Sequence, residues 1–340
     1  MCLTVCVLLF GPMTAYRGKL HVAVMGGIGD VILSYALLDA LERRYGRFRF
    51  YTNQPDTYRF YSEREADGDC ADFVKLDQSD APTCLVGIDT FSLVINRSKD
   101  ARFQKLLDLN TKFIVEHQLQ SYVEDRPFKD GIAADFMGGK GFTRSSLSAA
   151  MLGFHDLRFV RRRPKPLRTW LRRYVTIHDG FGTYHADNGA TGCTKTWPRE
   201  RWEELVGLLK AKYPDHAIVQ LGHPSTARHV PGVDHSFIGT FSIADTFRIL
   251  AHSKLHIDGD SGLTHAATSF GVPTVALFGP TPGGYFGYPQ NVNLQSNACR
   301  PCYWSNDTWL ERCPRGFRAP ICMTTITPYQ VLAGAEALIG

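Results

Sequence analysis

Gly259-Asp260-Ser261-Gly262-Leu263-Thr264-His265-Ala266-Ala267, running on to Gly271-Val272-Pro273-Thr274-Val275-Ala276-Leu277-Phe278-Gly279-Pro280-Thr281, decides the fold of this chain. It reads as a strand end, an acidic turn, a helix start, a second strand and a second glycine turn. That order leaves the backbone N–H groups of Ser261, Gly262, Leu263 and Thr264 at a helix N-terminus. Unpaired donors and partial positive charge there suit a phosphate or diphosphate, so a nucleotide is the expected ligand.

The same grammar extends outward. Leu255-His256-Ile257 is the strand feeding the acidic turn, and Leu263, Ala266, Ala267 and Phe270 share one face of the helix after it. Upstream, Tyr174-Val175-Thr176-Ile177-His178 is a strand entering the turn Asp179-Gly180-Phe181-Gly182. Pro198 opens a helix with Trp202, Leu205, Val206 and Leu209 on one side, ending before Pro214. Ala217 to Leu221 is the next strand, and a helix covers Ile243 to Ala251. Near the start, Leu20-His21-Val22-Ala23-Val24-Met25 is an almost unbroken apolar run, as in a parallel strand buried on both faces. Gly26-Gly27-Ile28-Gly29-Asp30 turns the chain, a helix carries Leu33, Ala36, Leu37, Ala40 and Leu41 to Tyr45-Gly46, and Phe48 to Tyr51 starts a strand. Strand, turn, helix, strand is a parallel α/β unit. Residues Ser98 to Gly153 show only helices and loops without clear order, assigned to the acceptor side.

With 340 residues, 44% hydrophobic and 21% charged, the chain has the composition of a globular protein and enough length for two cores. The reading is α/β, with two doubly wound halves at 1–165 and 166–340, joined near 160–173. Ligands of such halves bind at the carboxyl ends of the strands, facing the cleft. No apolar run reaches the ~18 residues a membrane span needs. The apolar start from Met1 to Phe10 lacks a basic flank and is broken by Gly11-Pro12. It is taken as an extension before the first strand, or a misplaced start, rather than a signal peptide. The net charge of +5 is local: Arg158, Arg161, Arg162, Arg163, Lys165, Arg168, Arg172 and Arg173 supply eight positive charges. A solvated linker, which Pro164 and Pro166 favour, and a patch for an anionic acceptor or a membrane surface both account for them. A nucleic-acid partner is not expected, because no regular alternation of aromatics with the arginines offers a stacking platform.

The glycine turn at 26–30 is not a dinucleotide fingerprint: its third glycine would fall at Ile32, and the following strand ends in Thr52-Asn53 without an acid. No Lys-Ser/Thr pair follows, which excludes a Walker loop. Asp30 is left at the mouth of the cleft, as a base, a helix cap or both. Asp258-Gly259-Asp260 has the look of a divalent-ion motif, but Ser261-Gly262 at a helix start offers a metal-free diphosphate site, the preferred reading. Lys195, before Thr196-Trp197-Pro198, adds a point charge to it. Of the histidines, only His178 and His265 sit in motif turns. Cys299, Cys302, Cys313 and Cys322 follow a C-x2-C-x10-C-x8-C spacing that permits a tetrahedral thiolate site for iron or zinc, with free buried thiols or redox chemistry as alternatives. Cys2, Cys6, Cys70, Cys84 and Cys193 read as ordinary thiols.

Gly26-Gly27-Ile28-Gly29-Asp30, Lys195-Thr196-Trp197-Pro198, Asp260 to His265, and Phe278-Gly279-Pro280-Thr281 together resemble the family 9 glycosyltransferases, best known as ADP-heptose:lipopolysaccharide heptosyltransferases. The resemblance implies a GT-B fold of two Rossmann-like domains facing a central cleft, with the acceptor held by the first and the nucleotide sugar by the second. It implies inverting, metal-independent sugar transfer with no catalytic cofactor. Asp30 then matches the general base within the turn of Gly26, Gly27 and Gly29. Lys195, Thr196, Asp260, Ser261, Gly262, Leu263, Thr264 and His265 match the donor site, and Phe241 lies near the base. His223-Pro224 stands where heptosyltransferases carry a ribose-binding glutamate, which puts the donor's identity in question. Heptosyltransferases that modify autotransporter adhesins resemble the cysteine arrangement and hold an iron there.

The expected protein is thus a cytoplasmic transferase, placed there or at the inner membrane face. Its partners would be an ADP-heptose-like donor and a glycan or protein acceptor, with peripheral membrane contact and a homo-oligomer left open. A nucleotide-sugar epimerase of the same architecture, turning over without acceptor, and a non-catalytic assembly module organised by the cysteines are the rival readings.

Overall fold

The computed structural model describes residues 20–124, 130–155, 157, 163–167, 171–181 and 194–340. Four strands build the first sheet: β1 (Leu20–Val24), β2 (Arg49–Thr52), β3 (Cys84–Ile88) and β4 (Ser92–Asn96). Their order is β2-β1-β3-β4, with β2, β1 and β3 parallel and β4 returning antiparallel along the edge. All five residues of β1 are buried, as its continuous apolar run requires. The first half is therefore only partly doubly wound, because the hairpin β3–β4 replaces a further crossover.

Six parallel strands build the second sheet: β5 (Tyr174–His178), β6 (Ala217–Gly222), β7 (His235–Ile238), β8 (Leu255–Gly259), β9 (Thr274–Phe278) and β10 (Val292–Gln295). Their order, β7-β6-β5-β8-β9-β10, is the 3-2-1-4-5-6 winding of the dinucleotide-binding fold. Strand order reverses between β5 and β8. Ligands of open α/β sheets bind outside the strand ends at that reversal, here His178 and Asp258-Gly259.

Each sheet has its own core. Val22, Leu41 and Phe50 anchor the first, and Val175, Leu205 and Ile257 the second. Two further apolar clusters join the halves. In one, Ile32 and Tyr61 pack with Phe247, Leu263, Ala266 and Phe270, and the Tyr61 and Phe270 rings stack 5.9 Å apart. In the other, Phe91, Met137 and Leu147 meet Phe278, Tyr285 and Phe286. Met137 and Leu147 come from helices Asp130–Gly139 and Arg144–Ala150, which give order to the stretch that the sequence left without any. Arg158, Arg161, Arg162, Arg168, Gly182, Cys2, Cys6, Cys193 and the apolar start lie outside the described residues.

Candidate active site

Two helices point their N-termini into the gap between the halves. Helix Ile28–Tyr45 starts after Gly26-Gly27, and helix Gly262–Ser269 starts after Ser261. They touch at their first turns: a Cβ on Gly29 would stand 2.5 Å from His265 Cδ2, and one on Gly262 would stand 2.8 Å from Ile28 Cβ. These two glycines therefore allow the halves to close on each other. Gly26 has φ of +123°, and a Cβ there would collide with the Asp30 carboxylate, so this turn accepts only glycine.

Asp30 sits at the third position of its helix. Its Oδ2 accepts the Gly27 N–H at 2.9 Å, so the carboxylate caps its own helix as well as facing the cleft. Arg144, whose side chain is 3% exposed, donates from Nη2 to Asp30 Oδ1 at 3.2 Å and from Nη1 to Ser148 Oγ at 2.8 Å. Burial pushes the Asp30 carboxyl above the usual carboxylate range, Arg144 opposes the rise, and the nearby Asp89 adds to it. Sequence reasoning missed Arg144. It lies 114 residues from Asp30 in the stretch that carried no motif.

On the opposite wall, Lys195 Nζ donates to Asp260 Oδ2 at 2.6 Å and to the Asp260 carbonyl at 3.2 Å. Burial alone would raise the Asp260 carboxyl, but Lys195 and His265 outweigh it and hold the group below its ordinary value. Trp197 fixes this segment by burying its ring and donating Nε1 to Ile326 O at 3.0 Å. Ser261 caps its helix by accepting the Leu263 N–H at 3.1 Å, and its hydroxyl donates to Asp258 Oδ2. Asp258 is fully buried, takes the His178 Nδ1–H at 2.8 Å and meets His256 Nε2 at 3.3 Å. Burial opposes its charge, yet His178 and His256 hold it far below the usual range. Both carboxylates of the Asp258-Gly259-Asp260 turn are thus engaged by protein donors. His265 Nδ1 lies 2.8 Å from Tyr288 Oη, and burial keeps the imidazole's pKa below its ordinary value.

One cleft of about 480 Å3 runs between these walls, within the range of small-ligand sites. It is lined by Gly26, Gly27, Gly29 and Asp30 from the first half. From the second come Lys195, Phe241, Asp260, Ser261, Gly262, Leu263 and His265. Two expected donor residues stand back from it. The Thr264 hydroxyl is buried and donates to Gly259 O at 2.7 Å, shaping the turn from behind, and Thr196 does not line the cleft. His178, His223, Thr226, Tyr303 and Trp304 also line it.

Tyr303 and Trp304 arrive on the cysteine-rich segment, whose Cys302 and Tyr303 N–H groups bond Pro280 O at 2.8 and 2.9 Å. Cys299, Cys302, Cys313 and Cys322 are free and lie near one another. Among the described residues, no group of three or more His, Cys, Asp or Glu side chains is placed to hold a metal ion, so the expected structural iron or zinc is not supported. Cys322 is packed into the second core, and burial, helped by the neighbouring sulfurs, raises its thiol to about 12 and that of Cys302 to about 11. Cys299 Sγ turns to the Arg300 carbonyl at 3.5 Å.

The fold and cleft define a class: a two-domain α/β protein of GT-B architecture with its site between the domains. Residues 182–308 match the glycosyltransferase family 9 (heptosyltransferase) profile, and the resemblance to that family holds across the comparisons. Lipopolysaccharide heptosyltransferase 1 of Pseudomonas aeruginosa is 29% identical over 45% of this chain and 46% of its own length. Its Salmonella typhimurium counterpart is 32% identical over 32% of this chain and 34% of its own. The chain thus matches less than half the length of these curated relatives. The iron-containing dodecameric glycosyltransferase TibC from enterotoxigenic E. coli superposes with a TM-score of 0.61 at 16% identity, covering 95% of this chain and 77% of TibC. E. coli ADP-heptose lps heptosyltransferase II gives 0.55 at 14% identity, covering 94% and 98%.

Proposed function

We propose that this protein is an inverting, metal-independent glycosyltransferase that moves a heptose-like sugar from a nucleoside diphosphate to a hydroxyl on a glycan or protein. The reading rests above all on one arrangement: Asp30 on one wall of the cleft, and Lys195 with the N-terminus of helix Gly262–Ser269 on the other. Asp30 takes the proton of the acceptor hydroxyl as its oxygen forms a bond to the anomeric carbon from the side opposite the diphosphate. A carboxyl pKa raised by burial suits a base working near neutral pH. The departing diphosphate gains negative charge as the glycosidic bond breaks, and in this reading Lys195 and the helix start at Ser261-Gly262 stabilise it. The engagement of Asp258 and Asp260 by His178, His256, Ser261 and Lys195 favours a mechanism in which these cationic and N–H donors replace a divalent ion. Phe241, which meets Phe237 edge-on with centroids 5.0 Å apart, offers an aromatic edge to the base.

The domains divide at residues 165/166 in this reading. The free cysteines suit a reducing cytoplasm, and a homo-oligomer accords with the dodecameric TibC. Among the described residues no helix is long and apolar enough to cross a membrane. The test is a panel of ADP-, GDP-, UDP- and CDP-linked sugars, reading nucleoside diphosphate release with and without candidate acceptors. Acceptor-dependent release from one donor is expected. Turnover of the sugar without an acceptor would make the protein an epimerase instead.

A further inference from the structure

His178 ends β5 at the strand-order reversal, and nothing in the donor reading above uses it as a ligand. Its Nδ1 is committed to Asp258 Oδ1 at 2.8 Å and lies 3.3 Å from the Ser261 hydroxyl, which places the ring beside the N-terminus of helix Gly262–Ser269. His178 lines the cleft, with Gly180 and Gly222 packed against its other edge. Gly180 passes so close that a Cβ there would stand 2.8 Å from Nε2 and 3.1 Å from Thr226 Oγ1. Thr226 is 7% exposed and lines the same cleft, and among the described residues its hydroxyl has no partner. A ring nitrogen and an unpaired hydroxyl thus meet under the cleft floor, next to the helix start.

We propose that His178, with Thr226 beside it, is a second donor to the nucleoside diphosphate, binding a phosphate oxygen through Nε2–H; this rests on the donor reading above. Because Nδ1 faces a carboxylate, the proton of a neutral ring stays on Nδ1 and leaves Nε2 an acceptor, which repels phosphate. Only the imidazolium donates from both nitrogens. Asp258 and Asp179 favour that cation; His256 reaches the far oxygen of Asp258, and Lys195, Asp260 and His223 line the same cleft. Burial works against the charge, but Asp258 and then Asp179 outweigh it and raise the His178 pKa. Asp179 holds the Gln220 amide at 2.7 Å and the Arg228 N–H at 3.0 Å, so it is fixed in place.

Titration of the full chain with ADP, GDP, UDP and CDP between pH 6 and 9 tests this, with the His178 Cε1–H resonance as a second readout that needs no substitution. Diphosphate affinity should weaken as pH rises through the His178 pKa, and bound diphosphate should shift that pKa upward. His178→Gln, which keeps an N–H but cannot charge, should weaken binding about tenfold or more near neutral pH and flatten the pH dependence, while the parent nucleosides bind unchanged. Diphosphate binding that is unaltered in His178→Gln, with an unmoved resonance in the wild type, overturns the role of His178 and leaves the donor reading standing. Failure of all four diphosphates to bind overturns both.

Discussion

The two glycine turns that face each other across the cleft are built alike and used differently. Each opens a helix whose first N–H groups point at the gap. In the first turn Asp30 folds back onto Gly27 N–H, so the helix end is occupied by its own carboxylate and the wall presents a proton acceptor. In the second turn Asp258 is turned to His178 and Ser261, and Asp260, at the cleft, is paired with Lys195. That wall presents N–H groups and cations. In the proposed reading the same local fold yields a base on one side and an anion cradle on the other; the placement of three aspartates differs, and Lys195 and His178 stand beside the second turn.

The two walls should also titrate in opposite senses. Asp30 has its folded pKa raised, so the fold favours its proton and its ionisation costs stability as pH rises through that value. Asp260 has its folded pKa depressed, so its contribution is present above the ordinary carboxylate pKa and is lost as pH falls through the folded one.

Breaking the first wall gives the largest effect. Asp30→Asn should lower kcat by about 10²- to 10⁴-fold, the usual worth of a general base, measured as acceptor-dependent diphosphate release. Loss of less than threefold would remove Asp30 from the chemistry. Breaking the second wall with Lys195→Met should lower kcat/KM by about 10²-fold or more. It should also cost about 3 kcal/mol of stability in urea, because Asp260 is left buried without its cation. A variant as stable as the wild type would show that the pair is solvated. The smallest change sharpens the comparison rather than breaking it. Arg144→Met removes the cation that restrains the Asp30 pKa, so the acid limb of the kcat/KM profile should move up by about one pH unit. An unmoved limb would mean that Arg144 only fills space.

Much of this was legible in the residue pattern, for reasons particular to each element. Strands β1, β5, β6, β8 and β9 are buried through nearly their whole length, and short, largely apolar runs mark them. β7 and β10 are half-exposed edges with His, Ser, Asn and Gln among their residues, and such short polar strands leave no signal. β4 alternates only weakly and pairs through a hairpin that no glycine announces. The proposed donor turn could be read because its residues are consecutive in sequence. Arg144, Tyr288 and Tyr303 reach the site by tertiary packing alone, and no spacing rule joins them to Asp30 or His265. The cysteine spacing pointed to a metal, but spacing sets only reach, and packing turned Cys322 into the core.

The central claim is that proton acceptor and anion cradle are separate walls of one cleft. Calorimetric titration of Asp30→Asn with the diphosphate released by the wild type tests it most directly. The account predicts affinity equal to or tighter than wild type, alongside the lost turnover, since a carboxylate is removed and no anion ligand is touched. Binding weakened by tenfold or more in Asp30→Asn would contradict it.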